Sequence, residues 1–563
     1  MLRGVTVTRR EAAFAGVGAV AMVSCYWLAA LFRGAVGALR NDDWVYARAL
    51  HRLVDTGVFA PESSMASLLG QLLVAAPVAA IFGHSVVALQ VLTALVSAWG
   101  LVASYLLVRS FLPRGVAIVV VGALAVGPLY SSLAISFMSD PYMYALSITS
   151  LLLGHRAIAH PRGGFAWLGA ALVAGVWAFT VREFGLAAAG CVVVVYAYHR
   201  LRRRAYAQVA ISLAAGLAVL AVAVAYLMWR RAIPGTMVQG GGVHWPLRYA
   251  YTMVARSAVT LGLFMAPVVA LASPRRALAL LRRFWWVPVL VVASLAALLW
   301  TTTSTFKQLP NYVTMTFPYG ETVAGTAPNV VPAMLFRLEE VVGLVGALAV
   351  ITIVVTALWT IRARRQEEAP ASATSQGFHL TAAFALAYTA GLFAVQGWTG
   401  AFIFDRYFLP SIVPVAATVA YAAVRAGLVT KTMGRIAAVC LVAFAMVGLW
   451  TADLANLNDG VKHAMGTAWV AKGYDPATVD AGYEWFGYYN MNQFGLRQIP
   501  TDQPWYWYLF PATTTCVRIS YDDGSALASE RTVDHLTVRT LIGREVVYRV
   551  TVPTVTPAGC PAR

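Results

Sequence analysis

Long uninterrupted apolar runs, neither alternating nor heptad-patterned, dominate the first 450 or so residues of this chain. A helix needs about 20 apolar residues to cross the hydrocarbon core of a bilayer. Runs of that kind fall at 12–32, 86–108, 115–137, 142–158, 165–181, 184–199, 205–228, 251–272, 284–300, 337–361, 378–396, 409–424 and 436–452. They predict an all-α polytopic membrane bundle of about thirteen transmembrane helices, because continuous rather than alternating hydrophobicity selects helices over a barrel. The first run has no small-residue cleavage site at its end and is read as a retained span. Two stretches in the first loop read differently. Residues 44–56 place Trp44, Ala47 and Leu50 on one face and Arg48 and Arg52 opposite, which predicts an amphipathic surface helix. "LLGQLLVAAPVAAIFG", Leu68 to Gly83, is apolar but short, and counting it as a crossing would send most later basic loops to the other side. It is expected to lie along the surface or dip into it, broken near Pro77.

Composition agrees with the pattern. Of 563 residues, 60% are hydrophobic and 12% charged, with mean hydropathy +0.68, against about 25% charged in soluble domains. The net charge of +18 is concentrated in short basic segments such as Arg200, Arg202, Arg203 and Arg204, Arg275, Arg276, Arg282 and Arg283, and Arg362, Arg364 and Arg365. The positive-inside rule makes these loops cytoplasmic, so the charge records topology, and no nucleic-acid partner is expected. With the N-terminus inside, the tail emerges outside. The expected organisation is therefore a membrane domain over 1–452, its first outer loop with surface helices over 33–85, and a small extracytoplasmic α/β or β domain over 453–563. "TCVRISYDD" and "EVVYRVTVPT" in that tail alternate as strands do, and "GYEWFGYYN" and "PWYWYLFP" are rich in aromatics. Arg over Lys and abundant Ala and Val suggest a GC-rich bacterial genome, and the expected location is a bacterial inner (plasma) membrane.

This threading sorts the acids. Only Glu11, Glu367 and Glu368 fall inside, while Asp42, Asp43, Asp55, Glu62, Asp140, Glu183, Glu321, Glu339, Glu340 and Asp405 fall outside. Acids barely influence insertion, so the asymmetry points to chemistry on the outer face. Four stretches are candidates. Asn41-Asp42-Asp43-Trp44 is either a solvated turn capping the next helix or a general base or metal-ligand carboxylate at a cavity mouth. "FMSDPYMY" puts Asp140 before Pro141, a good helix start with Pro at the first helical position, or a second acid on the same face. "FTVREFG" breaks an apolar hairpin with Arg182 and Glu183, read either as a mutual ion pair or as a cation that meets a phosphate. In "FDRYFLP", Arg406 has the donor fork that grips phosphate, and Tyr407 is a contact residue or an interface aromatic. Lys307 and Arg337 flank a Thr-, Pro- and Gly-rich loop, 301–336, that is expected to close over a substrate. Of five cysteines, Cys25, Cys191 and Cys440 lie in spans, and Cys516 and Cys560 can pair if the tail is extracytoplasmic. A Walker-type glycine loop and an HExxH motif are both missing, so an obligate zinc is not expected.

"DDWVYARALHRLVDTGVF", "SDPY" and "RYFLP" resemble the type C membrane glycosyltransferases, in the branch of the protein O-mannosyltransferases and lipid A aminoarabinose transferases (glycosyltransferase family 39-like). The resemblance spans roughly residues 1–450. It implies a polyprenyl-phosphate-linked sugar donor, inverting transfer of a hexose or pentose to an envelope glycan, lipid or protein, and chemistry at the outer surface of the bilayer. It makes Asp42 the catalytic base, Asp43 its neighbour, and Asp140 the second acid, which orients donor or acceptor. Arg182 falls near a position where the aminoarabinose branch carries Lys. The chain departs from that branch at Ala66-Ser67-Leu68, where the branch has Lys-Pro, so a phosphate contact must come from elsewhere, with Arg182, Lys307, Arg406 and Tyr407 as the candidates. The sequence leaves open whether a divalent cation (Mg or Mn) assists, with Asp42 and Asp140 as its ligands. The alternative function is a transporter or flippase of lipid-linked glycans. That reading expects ionisable groups near the midplane and related halves, and neither is evident.

Overall fold

The computed structural model describes residues 7–61, 66–160, 164–233, 245–276, 289, 309, 311–312, 333–364, 373–491, 504–510, 513–521, 527 and 529–561. The expected span 284–300, apart from residue 289, and the candidate Lys307 lie outside the described residues. The helices are α1 (Arg9–Phe32), α2 (Asp43–Thr56), α3 (Leu69–Phe82), α4 (Val86–Arg109), α5 (Arg114–Ala125), α6 (Pro128–Leu133), α7 (Ser139–Ala159), α8 (Phe165–Val181), α9 (Leu186–Arg202), α10 (Tyr206–Arg231), α11 (Leu247–Val269), α12 (Ala333–Arg364), α13 (Ala373–Thr399), α14 (Leu409–Arg425), α15 (Lys431–Ala471) and α16 (Tyr483–Asn490). Among the described residues, eight helices are long and apolar enough to cross a membrane, and four more apolar helices run 10–17 residues. The chain is a multi-pass membrane protein.

Two apolar stretches fold otherwise than expected. The run 115–137 is not one helix: α5 ends at Ala125, and α6 restarts at Pro128 after Gly127, because proline has no N–H to continue the ladder and favours a helix start. Conversely, α3 runs unbroken through Pro77. It packs against α2, α8 and α4, and Trp177 on α8 donates its indole N–H to the Gly70 carbonyl at 3.0 Å. The amphipathic helix forms as α2, with Trp44, Ala47 and Leu50 buried. It lies against α16 of the tail as well as α3. Glycines allow a close crossing between α11 and α12, where a Cβ on Gly262 would lie 2.0 Å from the Gly343 carbonyl oxygen.

α15 is 41 residues long and runs straight through position 452 into the tail. The tail sheet has order β1-β2-β4-β3, with β1 (Val479–Asp480), β2 (Val517–Tyr521), β3 (Glu530–Arg539) and β4 (Glu545–Pro553). β1 and β2 are parallel, and β4 pairs antiparallel with both β2 and β3. Val479, Val517, Ile519, Val550 and Val552 form its apolar face, with Trp485 and, from α15, Met465 and Trp469. Cys516 and Cys560 are disulfide-bonded. The sheet and α16 are tied to the bundle. Arg33, just past α1, pairs with Asp453 at 2.5 Å and donates to the Arg539 carbonyl at 3.0 Å. Tyr521 donates to Asn458 at 2.7 Å.

Candidate active site

Asp42 is the residue before α2, the position where a carboxylate ordinarily caps the first free N–H groups. Here its side chain makes no capping bond. It accepts instead from Arg406 at 2.6 Å, with the Tyr483 hydroxyl 3.5 Å from its other oxygen. Arg406 sits in a short 3-10 turn, Asp405–Phe408, that leads into α14. The turn is fixed by its neighbour, since the buried Asp405 carboxylate accepts from the Tyr312 N–H at 2.6 Å. Asn41 closes the ring from the other side, donating to Asn311 at 2.8 Å and to the Tyr312 hydroxyl at 3.1 Å. Residues 311–312, in the loop expected to cover a substrate, therefore touch both the first loop and the Asp405 turn.

A second ion pair lies alongside. Asp140 is in the first turn of α7, fully buried, and its carboxylate is 3.5 Å from Arg182. Pro141 is the third helical residue rather than the first, since α7 begins at Ser139. Arg182 occupies the single extended residue between α8 and the turn into α9. It donates to Ser139 at 2.7 Å and lies 3.4 Å from the Tyr46 hydroxyl. The two pairs share the aromatic Tyr407: the Arg182 and Arg406 guanidiniums lie 5.1 and 5.7 Å from its ring centre. Tyr46, on α2, is the point where their fields meet. Burial pushes its hydroxyl up to about 12, Arg182 and Arg406 oppose this, and Asp42 and Asp140 add to it. Two carboxylates and two guanidiniums thus act electrostatically on one hydroxyl. The Asp42 side chain, 27% exposed, is the more open acid, and the side chain of Asp140 is wholly buried.

Other candidates take different places. Arg182 and Glu183 do not pair with each other. Glu183 forms an ion pair with Arg230 of α10 and accepts from Ser67 at 2.8 Å. Arg230 also donates to the Ala66 carbonyl at 3.0 Å, so it lies against the Ala66-Ser67 stretch. Asp43 faces away from the Asp42–Arg406 pair. It is buried and accepts from the Arg40 N–H at 2.6 Å, and burial holds its carboxyl well above the usual range, against the pull of Arg40. Arg40 is itself 3.7 Å from Asp459 on α15. The place found for Asp43 is thus the joint between loop and tail. The residues missed in the sequence are Tyr46, Tyr483, Arg40, Arg230, Asn311 and Tyr312. Tyr46 lay within the acidic motif, but nothing in a single sequence pairs Tyr483 with Asp42 across 441 positions.

Asp42 and Asp140, the acids expected to hold a divalent cation, each face a guanidinium, and among the described residues no three His, Cys, Asp or Glu side chains are placed to hold a metal.

Residues 69–229 match the family model described as dolichyl-phosphate-mannose-protein mannosyltransferase. The matched stretch runs from α3 to α10 and contains Asp140 and Arg182, while Asp42 and Arg406 lie outside it. This match bears out the resemblance to a type C membrane glycosyltransferase. No curated protein matches the chain by sequence. Among solved structures, ArnT from Cupriavidus metallidurans in the apo state is similar at 13% identity and a TM-score of 0.40, over 94% of this chain and 97% of that one. The archaeal oligosaccharyltransferase AglB from Archaeoglobus fulgidus, in complex with an inhibitory peptide and a dolichol-phosphate, is similar at 12% identity and a TM-score of 0.40, over 88% of this chain and 61% of that one.

Proposed function

We propose that the protein transfers a sugar from a polyprenyl-phosphate carrier to a hydroxyl of a cell-envelope glycan, lipid or protein, with inversion, on the outer face of a bacterial inner membrane. The observation that carries this reading is the meeting of the Asp42–Arg406 and Asp140–Arg182 pairs around Tyr46 and Tyr407. A hydroxyl is a poor nucleophile, and a positioned carboxylate that takes its proton contributes typically 10²–10⁴-fold. Asp42, the more open acid, is that base. As its oxygen accepts the proton, the acceptor oxygen bonds to the anomeric carbon and the bond from that carbon to the phosphate oxygen breaks. The departing lipid phosphate gains negative charge, which Arg406 and Arg182 meet with charge-assisted hydrogen bonds. At rest Arg406 occupies Asp42; an arriving phosphate competes for the guanidinium and leaves the carboxylate for the acceptor. Asp140 acts through Arg182, as a positioning residue. The match to a family described by a dolichyl-phosphate-linked sugar supports a lipid-borne donor. A groove of about 440 Å³ lined by Leu69, Leu73, Trp177, Thr180 and Val219 offers apolar surface for its chain, with Thr180 two residues before Arg182. The N-terminus is cytoplasmic and the tail extracytoplasmic in this reading.

The test is transfer by purified protein in lipid vesicles, given radiolabelled polyprenyl-phosphate sugars and envelope acceptors, with a reporter fused after Arg563 to fix the side of the tail. Label should appear in an acceptor with the wild type and not with Asp42→Asn. Lipid-linked sugar that crosses the vesicle membrane without being transferred would replace this reading with that of a flippase.

A further inference from the structure

Tips of β-hairpins are usually built from Gly, Pro, Asn, Asp and Ser. The turn joining β3 to β4 is Thr540-Leu541-Ile542-Gly543. It is well formed: the Gly543 N–H donates to the Thr540 carbonyl at 2.9 Å, Gly543 adopts a φ of +78°, and the Thr540 N–H donates to the Arg544 carbonyl at 2.9 Å. Its two central positions therefore project large aliphatic side chains, Leu541 64% and Ile542 50% exposed. The location of the tip gives these side chains a use. The Leu541 N–H donates to Asp453 at 2.9 Å, and Arg33 links Asp453 to the Arg539 carbonyl. Arg33 follows the last residue of α1, and Asp453 lies on α15 three residues beyond Trp450. The tip is thus held at the level where two apolar helices leave the bilayer. Beside it, the end of α1 presents the exposed side chains of Leu28, Leu31 and Phe32, the last 87% exposed.

We propose that this turn inserts Leu541 and Ile542 into the headgroup–acyl boundary of the leaflet on the site's side, making lipid itself a partner of the tail sheet. The apolar surface is continuous with the end of a membrane-crossing helix, and Arg539 and Arg544 flank the turn, as basic residues flank inserted apolar segments. The inference does not depend on the reaction catalysed.

The experiment labels Ile542→Cys, and in a second protein Leu541→Cys, with an environment-sensitive fluorophore in full-length protein carrying Cys25→Ala and Cys440→Ala. The protein is reconstituted in phosphatidylcholine–phosphatidylglycerol vesicles. His535→Cys, exposed on β3 about 20 Å along the strand, is the aqueous reference. Mass spectrometry confirms the Cys516–Cys560 bridge in each variant. Insertion is read as blue-shifted emission at 541 and 542, quenched by doxyl-labelled lipid and protected from iodide, with the reverse at 535. Quenching by iodide at 541 and 542 equal to that at 535, with doxyl lipid silent, overturns the proposal. Failure of sugar transfer leaves this readout unchanged, so the two readings stand or fall separately.

Discussion

Replacing Asp42 with Asn separates the two roles that its geometry gives it. The carboxylate lies 2.6 Å from Arg406, and two opposite charges about 4 Å apart near a protein surface attract by about 4 kcal/mol. That attraction holds Arg406 away from any incoming phosphate, so the donor must overcome it on binding. Asn keeps the shape and one acceptor oxygen, but carries no charge and is no base. The chemical step should slow by 10²–10⁴-fold, about 3–5 kcal/mol of barrier. The KM for the donor should stay level or fall, because Arg406 is released. Folding should weaken as well, by up to about 3–5 kcal/mol, since the nearly buried Arg406 loses its counterion. Single-turnover transfer from a radiolabelled donor gives the first quantity, steady-state titration the second, and thermal unfolding in detergent the third. The reasoning is refuted by a kcat within tenfold of the wild type. It is refuted equally by a donor KM that rises tenfold, which would make Asp42 a binding residue.

Asp140→Asn should act differently. It strips the counterion from a buried Arg182 and should lower stability by about 3–5 kcal/mol, while Asp140→Glu recovers part of the melting temperature. The joint between first loop and tail should be pH-sensitive. Burial pushes Glu484 on α16 up to about 7, against Lys462 and with Asp459 adding. A carboxyl whose folded pKa is raised contributes stability that is fully present below about 4.5 and lost as pH climbs through 7, so hydrogen exchange in α16 should quicken over that window and Glu484→Gln should flatten the change. The Cys516–Cys560 bridge spans 44 positions. Replacing both by Ser should destabilise the tail by about 4 kcal/mol from loop entropy, seen as protease cleavage in the sheet at lower temperature with the membrane helices intact. A larger side chain at Gly487, whose Cβ would meet the Trp44 ring at 2.6 Å, should lift α16 from α2: Gly487→Leu should reduce transfer, and faster hydrogen exchange in both α2 and α16 would report the separation.

Much of the membrane part was legible because its physics is one-dimensional. Apolar length sets the spans, and the starts of α4, α8 and α10 fall within a residue of the runs 86–108, 165–181 and 205–228. The strand-like alternation in the tail returned as β2 and β4. What stayed hidden was partnership. Arg182 and Glu183 are neighbours in sequence, and either could have answered the other; only the fold sends one to Asp140 on α7 and the other to Arg230 on α10. Asp42 and Asp43 look interchangeable on paper. The first turn of α2 points one toward Arg406 and the other toward the Arg40 N–H, a difference that a string of letters does not carry. The tightness of Trp44 against Gly487 was equally invisible, since the aromatic-rich stretch around Gly487 spells no particular partner.

The length of α15 constrains how this chain can vary. Forty-one residues at 1.5 Å each make a rod of about 60 Å, roughly twice the thickness of a bilayer's hydrocarbon core. A rod has no slack. Deleting one residue between Asp459 and Ala471 would swing the sheet by about 100° around the axis and carry α16 off the first loop, whereas a seven-residue change would restore its bearing at a different height. Insertions in this stretch should therefore be tolerated in whole multiples of a turn or not at all, and the domain beyond works as a fixed roof rather than a tethered arm.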